Sequence, residues 1–575
     1  MRFYELSEYF SKLESTTKRL EMFDILSEAF SKSSGDEIAK VVYLMEGELL
    51  PAFFGVQFGV ADKMVEKAIA EAYGPDTKKV ESEYKKLGDL GKVAENENKN
   101  GSGSSLTVSE VYNELFSITK ISGEGSVEAK ITALSNIFKK ASRLESRYIA
   151  RFVLGRLRLG VGEATIMEAL SKAKTGKREF KKELEKAFNF CSDLGYVAEV
   201  FYKNGEESIK RFKVQVMRPI RPALAERLSS AKEIIEKLGK CALDQKFDGF
   251  RAQVHKKGNE VKVFSRNLED ITNFMPEIVA EIRKIKHDRI IFDSESLTYD
   301  EDTNTLYPFQ ITIQRKRKHN VLETSEKYPL RLFVFDIMLL DDESLVDKPY
   351  IERRKIIEKL FPEDAIISRS KIIITDSEKE FEKFFDDTVS SGLEGVVAKR
   401  LDGHYAAGAR NFNWIKIKRS YKSRLNDTID LVILGYFKGR GARADLGIGA
   451  VLAGVYDDKD DSFKTISKVG SGFSEEQFRS LKKMLDDIKV DHKPARVDSI
   501  MVPDIWVEPK YVITVKADEI TRSPMHTAGM KDEVGYALRF PRAVSFIRED
   551  KNANDANTVK EIEEMFKEQK NLKVS

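Results

Sequence analysis

The stretch DQKFDGFR, residues 244–251, places a lysine between two carboxylates and ends in a glycine and an arginine. We interpret this stretch as a β-strand that leads into a turn. In such a strand Asp244, Lys246 and Asp248 share one face, because side chains alternate with a period of two. Gly249 is expected to allow the sharp turn that follows.

Lys246 has two interpretations on this stretch alone. Neighbouring carboxylates hold a lysine protonated, whereas a nucleophilic lysine must lose its proton from a reference pKa of about 10.4. Burial, a bound metal ion or nearby cations would supply that shift. An ordinary exposed strand with charges two residues apart is the simpler interpretation of these residues.

Charged residues follow at the ends of later predicted strands. VFSRN ends in Arg266 and Asn267, and IFDSESL carries Asp293 and Glu295 on one face of an otherwise apolar strand. Paired carboxylates at a strand end suit Mg²⁺ or a ribose hydroxyl. Taken singly, a surface ion pair and a strand emerging into solvent explain them equally well.

The stretches SGLEGVVAKR and WIKIKRS add a carboxylate and two cations. Glu394 stands before an apolar strand that ends at Lys399, while Lys416 and Lys418 alternate with isoleucines and therefore face one way. Two adjacent ammonium groups repel unless an anion lies between them, and a polyphosphate is the obvious candidate. Arg410 lies six residues before Lys416 and is expected to reach the same anion.

Patterning along the chain predicts three domains. Helical periodicity fills residues 1–213, apart from a polar segment at 95–105 that is predicted to be a flexible loop. Mixed strands and helices occupy residues 214–421, and short strands with glycine-rich turns occupy residues 422–575 before a final solvated helix.

Composition excludes several classes of protein. The 575 residues are 41% hydrophobic and 33% charged, with a formal net charge of +3 and no apolar run long enough to span a membrane. Cys191 and Cys241 are too few for a disulfide framework or a zinc site, which favours a reducing, cytoplasmic location. The nearly neutral charge leaves any nucleic-acid surface to local patches.

The order of these motifs resembles the nucleotidyltransferase superfamily of ATP-dependent DNA ligases and mRNA capping enzymes. KFDGFR is similar to its first motif, Lys-x-Asp-Gly-x-Arg, and FSRN, FDSES, LFVFD, LEGVVAK and WIKIK resemble the later ones. RFPRAVSFIREDK, at 539–551, resembles the closing motif of the ligase barrel, and PFQITIQRKRK and MRPIRPALAERL resemble further ligase segments. LGRLRLGVGEATIMEAL, at 154–170, is similar to the helical DNA-binding domain of archaeal and eukaryotic replicative ligases.

The resemblance implies a multidomain α+β fold: an all-helical DNA-binding domain, an ATP-grasp-like nucleotidyltransferase domain and an OB-fold β-barrel. It also implies a monomeric ATP-dependent DNA ligase that acts in replication, repair and recombination. Its cofactors are ATP and Mg²⁺, with Mn²⁺ as an alternative metal. The enzyme attaches AMP to a lysine, transfers it to the 5′-phosphate of a nick, and lets the 3′-hydroxyl displace it.

The family roles transfer to matching positions. Lys246 is the nucleophile, and Glu295 and Glu394 bind the metal. The implied nucleotide-binding residues are Asp244, Arg251, Arg266, Glu295, Phe335, Arg410, Lys416, Lys418, Arg548 and Lys551. Asp244 departs from the family, which has glutamate there to accept a hydrogen bond from the adenine amino group, so the preference for ATP over ADP or GTP stays open.

The implied partners are nicked duplex DNA and a sliding clamp. Candidate DNA contacts are Arg151, Arg156, Arg158, Gly160 and Gly162, which precede a helix whose first amides are expected to meet a phosphate. The alternative is a charged surface helix. Relatives carry a clamp peptide near the polar segment 95–105, which has no aromatic residue here, so no peptide contact is predicted there.

Two rival functions share parts of this pattern. A capping guanylyltransferase or RNA ligase would have Lys246, Glu295, Glu394 and the lysine pair, but capping enzymes lack a helical domain of this size. A catalytically inactive DNA-binding scaffold would not need Lys246 beside Asp248. Nucleotide choice and a covalent adenylate distinguish these alternatives.

Overall fold

The computed structural model describes the chain except for residues 101–103, 158, 301–304, 308–311, 313–314, 316–324, 326, 419–427, 440–445 and 575. Arg158, most of PFQITIQRKRK and the predicted boundary at residue 421 therefore lie outside the described residues. The rest forms a helical region, a central region of two sheets and a strand-rich C-terminal region. The predicted multidomain fold of mixed helix and sheet is confirmed.

The N-terminal region packs amphipathic helices around one continuous apolar core. Local signals define its helix starts: Ser142 and Glu145 form a reciprocal capping box at the start of one helix, as Thr107 and Glu110 do at another. The helices are Phe3–Ser15, Arg19–Ser31, Ile38–Glu46, Asp62–Tyr73, Thr77–Leu87, Leu90–Glu97, Val108–Thr119, Ser126–Lys140, Arg143–Val153, Glu163–Thr175, Lys181–Cys191, Leu194–Asn204 and Glu206–Lys210.

The polar segment 95–105 is not a loop throughout. Helix Leu90–Glu97 runs into it, and the next residue, Asn98, is buried. The Asn98 side-chain amide donates to the carbonyl of Ala141 at 2.9 Å and to Ser146 Oγ at 2.8 Å. The prediction of a flexible loop is therefore wrong for residues 95–98, because tertiary hydrogen bonds satisfy a side chain that composition alone assigns to solvent.

The central region contains, within the described residues, a five-stranded and a seven-stranded sheet. An apolar layer that includes Met338, Ile291 and Trp414 lies between the sheets. In order, the first sheet is Leu224–Arg227, Arg410–Lys418, Gly395–Arg400, Cys241–Lys246 and Ile372–Thr375. The second follows the path Glu260–Phe264, Phe250–Lys257, Arg289–Asp300, Leu330–Leu340 and Glu343–Ser344, with Thr305–Leu306 and Ile367–Arg369 on side branches. Helices Ala231–Leu238, Pro276–Arg283, Tyr350–Leu360 and Glu378–Ser390 cover them.

The C-terminal region is rich in strands. Its main sheet joins Ile429–Phe437, Ala450–Asp457, Ser462–Val469, Lys489–Val490, Val497–Asp498, Ile505–Val507, Val512–Lys516 and Arg542–Ile547, and Glu519–Ser523 pairs with Gly535–Arg539. Helix Glu475–Asp487 covers one side of its core. None of the described helices combines the length and apolarity needed to cross a bilayer.

The final helix, Val559–Val574, differs from the solvated helix expected from its charge. Ile562 is fully buried and Met565 is nearly so, and both belong to the core of the C-terminal region. Glu561 is also buried, on the side that faces the central region. The helix is therefore a packed element that carries a carboxylate to the junction of two regions.

Candidate active site

Three neighbouring strands bring the predicted nucleophile beside the predicted lysine pair. Gly395 is paired with Lys246 on one side and Lys418 on the other, and two residues along, Val397 is paired with Asp244 and Lys416. Asp244 and Lys246 thus share a face, as predicted. Gly395 has φ +152°, and a Cβ there would lie 2.2 Å from the carbonyl oxygen of Ile417, so the strands meet only because it has no side chain.

The turn after Lys246 differs from the prediction. The strand ends at Lys246, so Asp248 lies in the turn rather than on the strand face. Gly249 does not have a positive φ. A Cβ on Gly249 would lie 2.3 Å from the carbonyl oxygen of Ser296, so its role is close approach to a neighbouring strand.

Lys246 is held as an ammonium ion by carboxylates. Its Nζ pairs with one oxygen of Glu394, and Lys418 Nζ pairs with the other. Burial lowers the pKa of Lys246, but Glu394, Glu295 and Asp248 outweigh burial and leave that pKa above its ordinary value. Burial alone raises the pKa of Glu394, and the two lysines bring it down to about 2. Without a ligand, Lys246 and Glu394 therefore form a charged pair. This pair must separate before Lys246 can attack.

Glu295 is the second carboxylate near Lys246. Burial raises its pKa to about 7, with Glu394 adding to the rise while Lys246 and Arg251 oppose it. A cation placed beside Glu295 would restore its charged form. The described residues contain no cluster of three or more His, Cys, Asp or Glu that could hold a metal. Glu295 and Glu394 nevertheless fit Mg²⁺, which takes one or two protein carboxylates together with substrate phosphates.

Lys416 and Arg410 face an anion supplied by the protein itself. Glu561 of the final helix accepts from Arg410 at 2.5 Å and from Lys416 at 3.4 Å. Burial lowers the pKa of Lys416 to about 7, helped by Arg410, Lys418 and Lys551 and opposed by Glu561. These clustered cations keep the pKa of the Glu561 carboxyl well below its usual range, although burial opposes them. Arg410 and Lys416 therefore share one carboxylate, whereas Lys418 pairs with Glu394, so the two lysines predicted to share an anion have separate partners here.

The C-terminal region supplies the remaining cations of the site. Arg548 Nη2 pairs with Asp550 at 2.6 Å, and its Nη1 lies 3.5 Å from Asp430. Lys551 pairs with the other oxygen of Asp430. Burial lowers the pKa of Lys551, and Arg266 and Arg548 lower it further against the attraction of Asp430. Two cations of the C-terminal region, Arg548 and Lys551, therefore line the same cavity as Lys246.

Arg251, Arg266 and Phe335 lie on the central side of the junction. Arg251 Nη2 donates to Asp293 at 2.5 Å, so Asp293, predicted to share a face with Glu295, serves as the partner of this arginine. Arg266 Nη2 lies 3.4 Å from Asp555 of the C-terminal region. The Phe335 ring meets Trp414 edge to face, with 6.0 Å between ring centroids.

One cavity of about 760 Å³ joins these groups. It is lined by every residue predicted to bind nucleotide or metal: Asp244, Lys246, Arg251, Arg266, Glu295, Phe335, Glu394, Arg410, Lys416, Lys418, Arg548 and Lys551. Its walls come from both the central and C-terminal regions. Its size and its polarity suit a ligand that has an apolar ring at one end and several negative charges at the other.

Sequence reasoning missed several residues of this cavity. The acidic group comprises Asp430, Asp550, Asp555 and Glu561, all from the C-terminal region. Lys399 and Trp414 also line the cavity, and the sequence placed them in quoted motifs without predicting a role for either. Their roles depend on contacts between distant segments, and Glu561 has the same local pattern as the other glutamates of its helix. The sequence did contain one indication of a role for Lys399: a lysine at the end of an apolar strand needs a buried partner.

Two of the predicted DNA contacts, Arg151 and Arg156, are paired with carboxylates of the protein itself. Arg151 is buried and pairs with Asp89 at 2.5 Å and Glu14 at 2.8 Å. Arg156 pairs with Asp62 at 2.8 Å and, across to the C-terminal region, with Asp487 at 3.1 Å. Arg151 therefore has an interior role in this arrangement, whereas Arg156 lies at an interface between regions.

Gly160 and Gly162 precede helix Glu163–Thr175, as predicted. Gly160 has φ +65°. A Cβ built on Gly162 would lie 3.1 Å from an Asp461 carboxylate oxygen of the C-terminal region. An acidic side chain thus lies beside the glycine that caps the helix at which a phosphate was expected.

Comparison with known proteins matches all three regions to one family. Residues 2–171 match the DNA ligase N terminus, residues 222–418 the ATP dependent DNA ligase domain, and residues 444–551 the ATP dependent DNA ligase C terminal region. A probable DNA ligase from Dictyoglomus thermophilum is 53% identical, covering 100% of this chain and 99% of its own. DNA ligases from Sulfurisphaera tokodaii and Saccharolobus solfataricus are 44% and 41% identical, and this chain covers 98% of each. The chain belongs to the ATP-dependent DNA ligase family, whose known activity is the sealing of nicks in DNA.

Proposed function

We propose that Lys246 of this ligase takes AMP from ATP in the cavity between the central and C-terminal regions. One observation carries the proposal. Lys246 and Lys418 lie on either side of Gly395 in three neighbouring strands, and Lys246 Nζ pairs with Glu394. Two residues along the same strands, Val397 is paired with Asp244 and Lys416, so the second lysine of the pair lies close to Lys246 as well.

The first step requires a neutral amine. Lys246 Nζ attacks the α-phosphorus of ATP, a nitrogen–phosphorus bond forms, and the bond to the pyrophosphate oxygen breaks. The Nζ proton leaves to solvent before the attack, because the Glu394 carboxylate that pairs with Nζ has a pKa of about 2 and stays charged. Mg²⁺ held by Glu295 and Glu394 would supply positive charge that stabilises pyrophosphate and lowers the pKa of Lys246.

The surrounding side chains orient the nucleotide. Phe335 stacks on the adenine, and Arg251 and Arg266 contact the ribose and phosphate. Lys416 and Lys418, with Arg410, neutralise the α-phosphate, while Arg548 and Lys551 orient the leaving pyrophosphate. The AMP then moves to the 5′-phosphate of a nick, which regenerates Lys246, and the 3′-hydroxyl displaces AMP to close the backbone.

The remaining assignments concern the whole enzyme. We propose domain boundaries at 1–213, 214–421 and 422–575, a monomer, and a cytoplasmic location, which suits the two free, buried cysteines. The helical domain would bind nicked duplex through Arg156, Arg158 and the turn at Gly160 and Gly162 after the C-terminal region moves away. A sliding clamp is an expected partner, but segment 95–105 is not proposed as its docking peptide, since it has no aromatic side chain.

The test compares the parent with Lys246→Ala on a 5′-phosphorylated nicked duplex with Mg²⁺ and ATP. Lys257→Ala is the matched control, because Lys257 is an exposed lysine in the next strand. We expect sealing and a covalent protein–AMP adduct from the parent and the control, and neither from Lys246→Ala. A labelled adduct on Lys246→Ala would show that another residue is the nucleophile.

A further inference from the structure

Three alternate side chains of strand Phe250–Lys257 form a row that leads away from the cavity. Arg251 lines the cavity, and Gln253 and His255 follow it on the same face, because side chains of a strand alternate with a period of two. Gln253 is 3% exposed and His255 is fully buried. The described lining of the cavity includes neither of them, so contact with a nucleotide does not account for these two buried polar side chains.

Both side chains bind the backbone of the joining segment, residues 211–223, which connects the helical region to the central region. Met217 N donates to His255 Nδ1 at 3.1 Å, so the ring proton is on Nε2, 2.9 Å from Gln253 Oε1. Burial lowers the pKa of His255 to about 3, which keeps the ring neutral. Ile220 N donates to Gln253 Oε1 at 2.7 Å, and Ile220 O accepts from Gln253 Nε2 at 2.9 Å. Two donors on Oε1 therefore fix the orientation of the Gln253 amide.

The fixed amide directs its nitrogen at Asp293, the carboxylate that pairs with Arg251. Gln253 and Asp293 are cross-strand partners, and Gln253 Nε2 lies 3.3 Å from Asp293 Oδ1. Asp293 is fully buried, and its Oδ2 accepts from Arg251 Nη2 and from the Tyr405 hydroxyl, each at 2.5 Å. A buried carboxylate with donors on both oxygens keeps one geometry, and the guanidinium paired with it is held in place as well.

The joining segment is bound to the helical region through its arginine side chains. Arg218 pairs with Asp193, and Arg221 Nη2 pairs with Glu163 at 2.5 Å. Glu163 is the first residue of the helix that follows the glycine turn proposed to meet DNA. The backbone of the segment therefore contacts the row that ends at the cavity, while its side chains contact the helical region.

We propose that Gln253 is a positioning residue for the reaction with ATP: anchored on the joining segment, it holds Asp293, and through it Arg251, in the place that ATP requires. The inference rests on the proposed function, in which Arg251 contacts the ribose and phosphate of ATP. Because two donors occupy Oε1 of Gln253, only its nitrogen can face position 293. Position 253 must therefore donate and position 293 must accept.

An exchange of the amide and the carboxylate tests this contact. Gln253→Glu places a carboxylate oxygen against Asp293 Oδ1, where the parent has an N–H group, and the two buried negative charges repel each other. In Gln253→Glu combined with Asp293→Asn, the carboxylate at position 253 keeps the two donors of Oε1, and the asparagine nitrogen donates to it. The asparagine oxygen then remains for Arg251. The double variant thus restores the contact with its polarity reversed and its net charge unchanged.

The experiment measures the rate of covalent adduct formation against ATP concentration on the full-length enzyme. Gln253→Glu should raise the KM for ATP about 10-fold, near the lower end for a hydrogen bond to a charged group, and change kcat less than about 2-fold, because Arg251 holds ATP before the reaction. Gln253→Met removes the donor without adding charge and should raise KM about 3- to 10-fold. The double variant should return to within about 3-fold of the parent. Gln57→Glu, at an exposed glutamine of the helical region, is the matched control and should leave KM unchanged.

The double variant separates positioning from a general loss of stability. A KM raised in Gln253→Glu and recovered in the double variant supports the inference, since a second substitution in the same core does not reverse a loss of packing. If Gln253→Glu keeps the KM of the parent, or if the double variant shows no recovery, Gln253 does not position Asp293. Should Gln253→Glu not fold, Gln253→Met decides: a raised KM at unchanged kcat supports the inference, and an unchanged KM overturns it. If the parent itself forms no adduct, the proposed function fails and the inference fails with it.

Discussion

Glu561 places a carboxylate on the cations that are proposed to bind the α-phosphate, and its removal should change ATP affinity. Glu561 contacts Arg410 at 2.5 Å and Lys416 at 3.4 Å and is 3% exposed. ATP must displace this carboxylate before its phosphate can reach the same groups. Glu561→Gln keeps the shape of the side chain and removes the charge that competes with ATP.

The magnitude follows from the strength of the contacts. Hydrogen bonds to charged groups contribute about 1.5–3 kcal/mol and neutral ones about 0.5–1.5 kcal/mol, so the charge at Glu561 adds about 1–1.5 kcal/mol for the shorter contact. In Glu561→Gln, ATP does not have to overcome the free energy contributed by this charge. We therefore expect a KM for ATP roughly 5- to 10-fold lower than that of the parent. Because Glu561 raises the pKa of Lys416, which is about 7, its loss lowers that pKa. The gain should therefore be larger near about pH 6, where Lys416 stays protonated, than near about pH 8.

The assay is the initial rate of protein–AMP formation against ATP concentration, at both pH values and without DNA. Glu563→Gln is the matched control: Glu563 is on the same helix, one-third exposed and paired with Lys567 at 3.2 Å. It should leave the KM for ATP unchanged. If a folded Glu561→Gln shows an unchanged or higher KM, then Glu561 organises Lys416 for ATP rather than competing with it, and the reasoning is refuted.

Two further predictions concern metal and DNA. The pKa of Glu295 is raised to about 7, first by burial, so its carboxylate gains charge as pH rises through neutrality. The Mg²⁺ concentration for half-maximal adduct formation should therefore fall between about pH 6 and about pH 8, and Glu295→Gln should abolish that dependence; a parallel pH profile in the variant would assign it to another group. Asp487→Asn removes the charged partner that Arg156 has on the C-terminal region, 3.1 Å from its Nη2, and leaves its pair with Asp62. Nicked-duplex binding by fluorescence anisotropy should tighten about 2- to 5-fold at low salt and not at high salt, whereas weaker binding would mean that Asp487 holds Arg156 in its DNA-contacting position.

Local patterns in the sequence determined the catalytic strands. The alternation of Lys416 and Lys418 with isoleucines sets the face of each side chain, and the same period puts Asp244 and Lys246 together. These features depend on neighbours two residues apart, so they can be predicted before the fold is known. The order of the motifs then predicted the family and the set of residues that line the cavity, although Asp248 lies in the turn beyond the strand.

Only the tertiary structure decided the partners of those residues. Glu561 reaches Arg410 across 151 residues of chain, and Lys399 reaches Asp244 across 155, distances at which no local period applies. Arg151 shows the same limit, since an arginine that looks like a DNA contact in sequence is neutralised inside the helical region. Burial raises the cost of an unpaired charge, and which charges become buried is determined by how distant segments pack. The sequence alone therefore determined the chemistry available at the site, and the packing of the three regions decided which charges oppose one another within it.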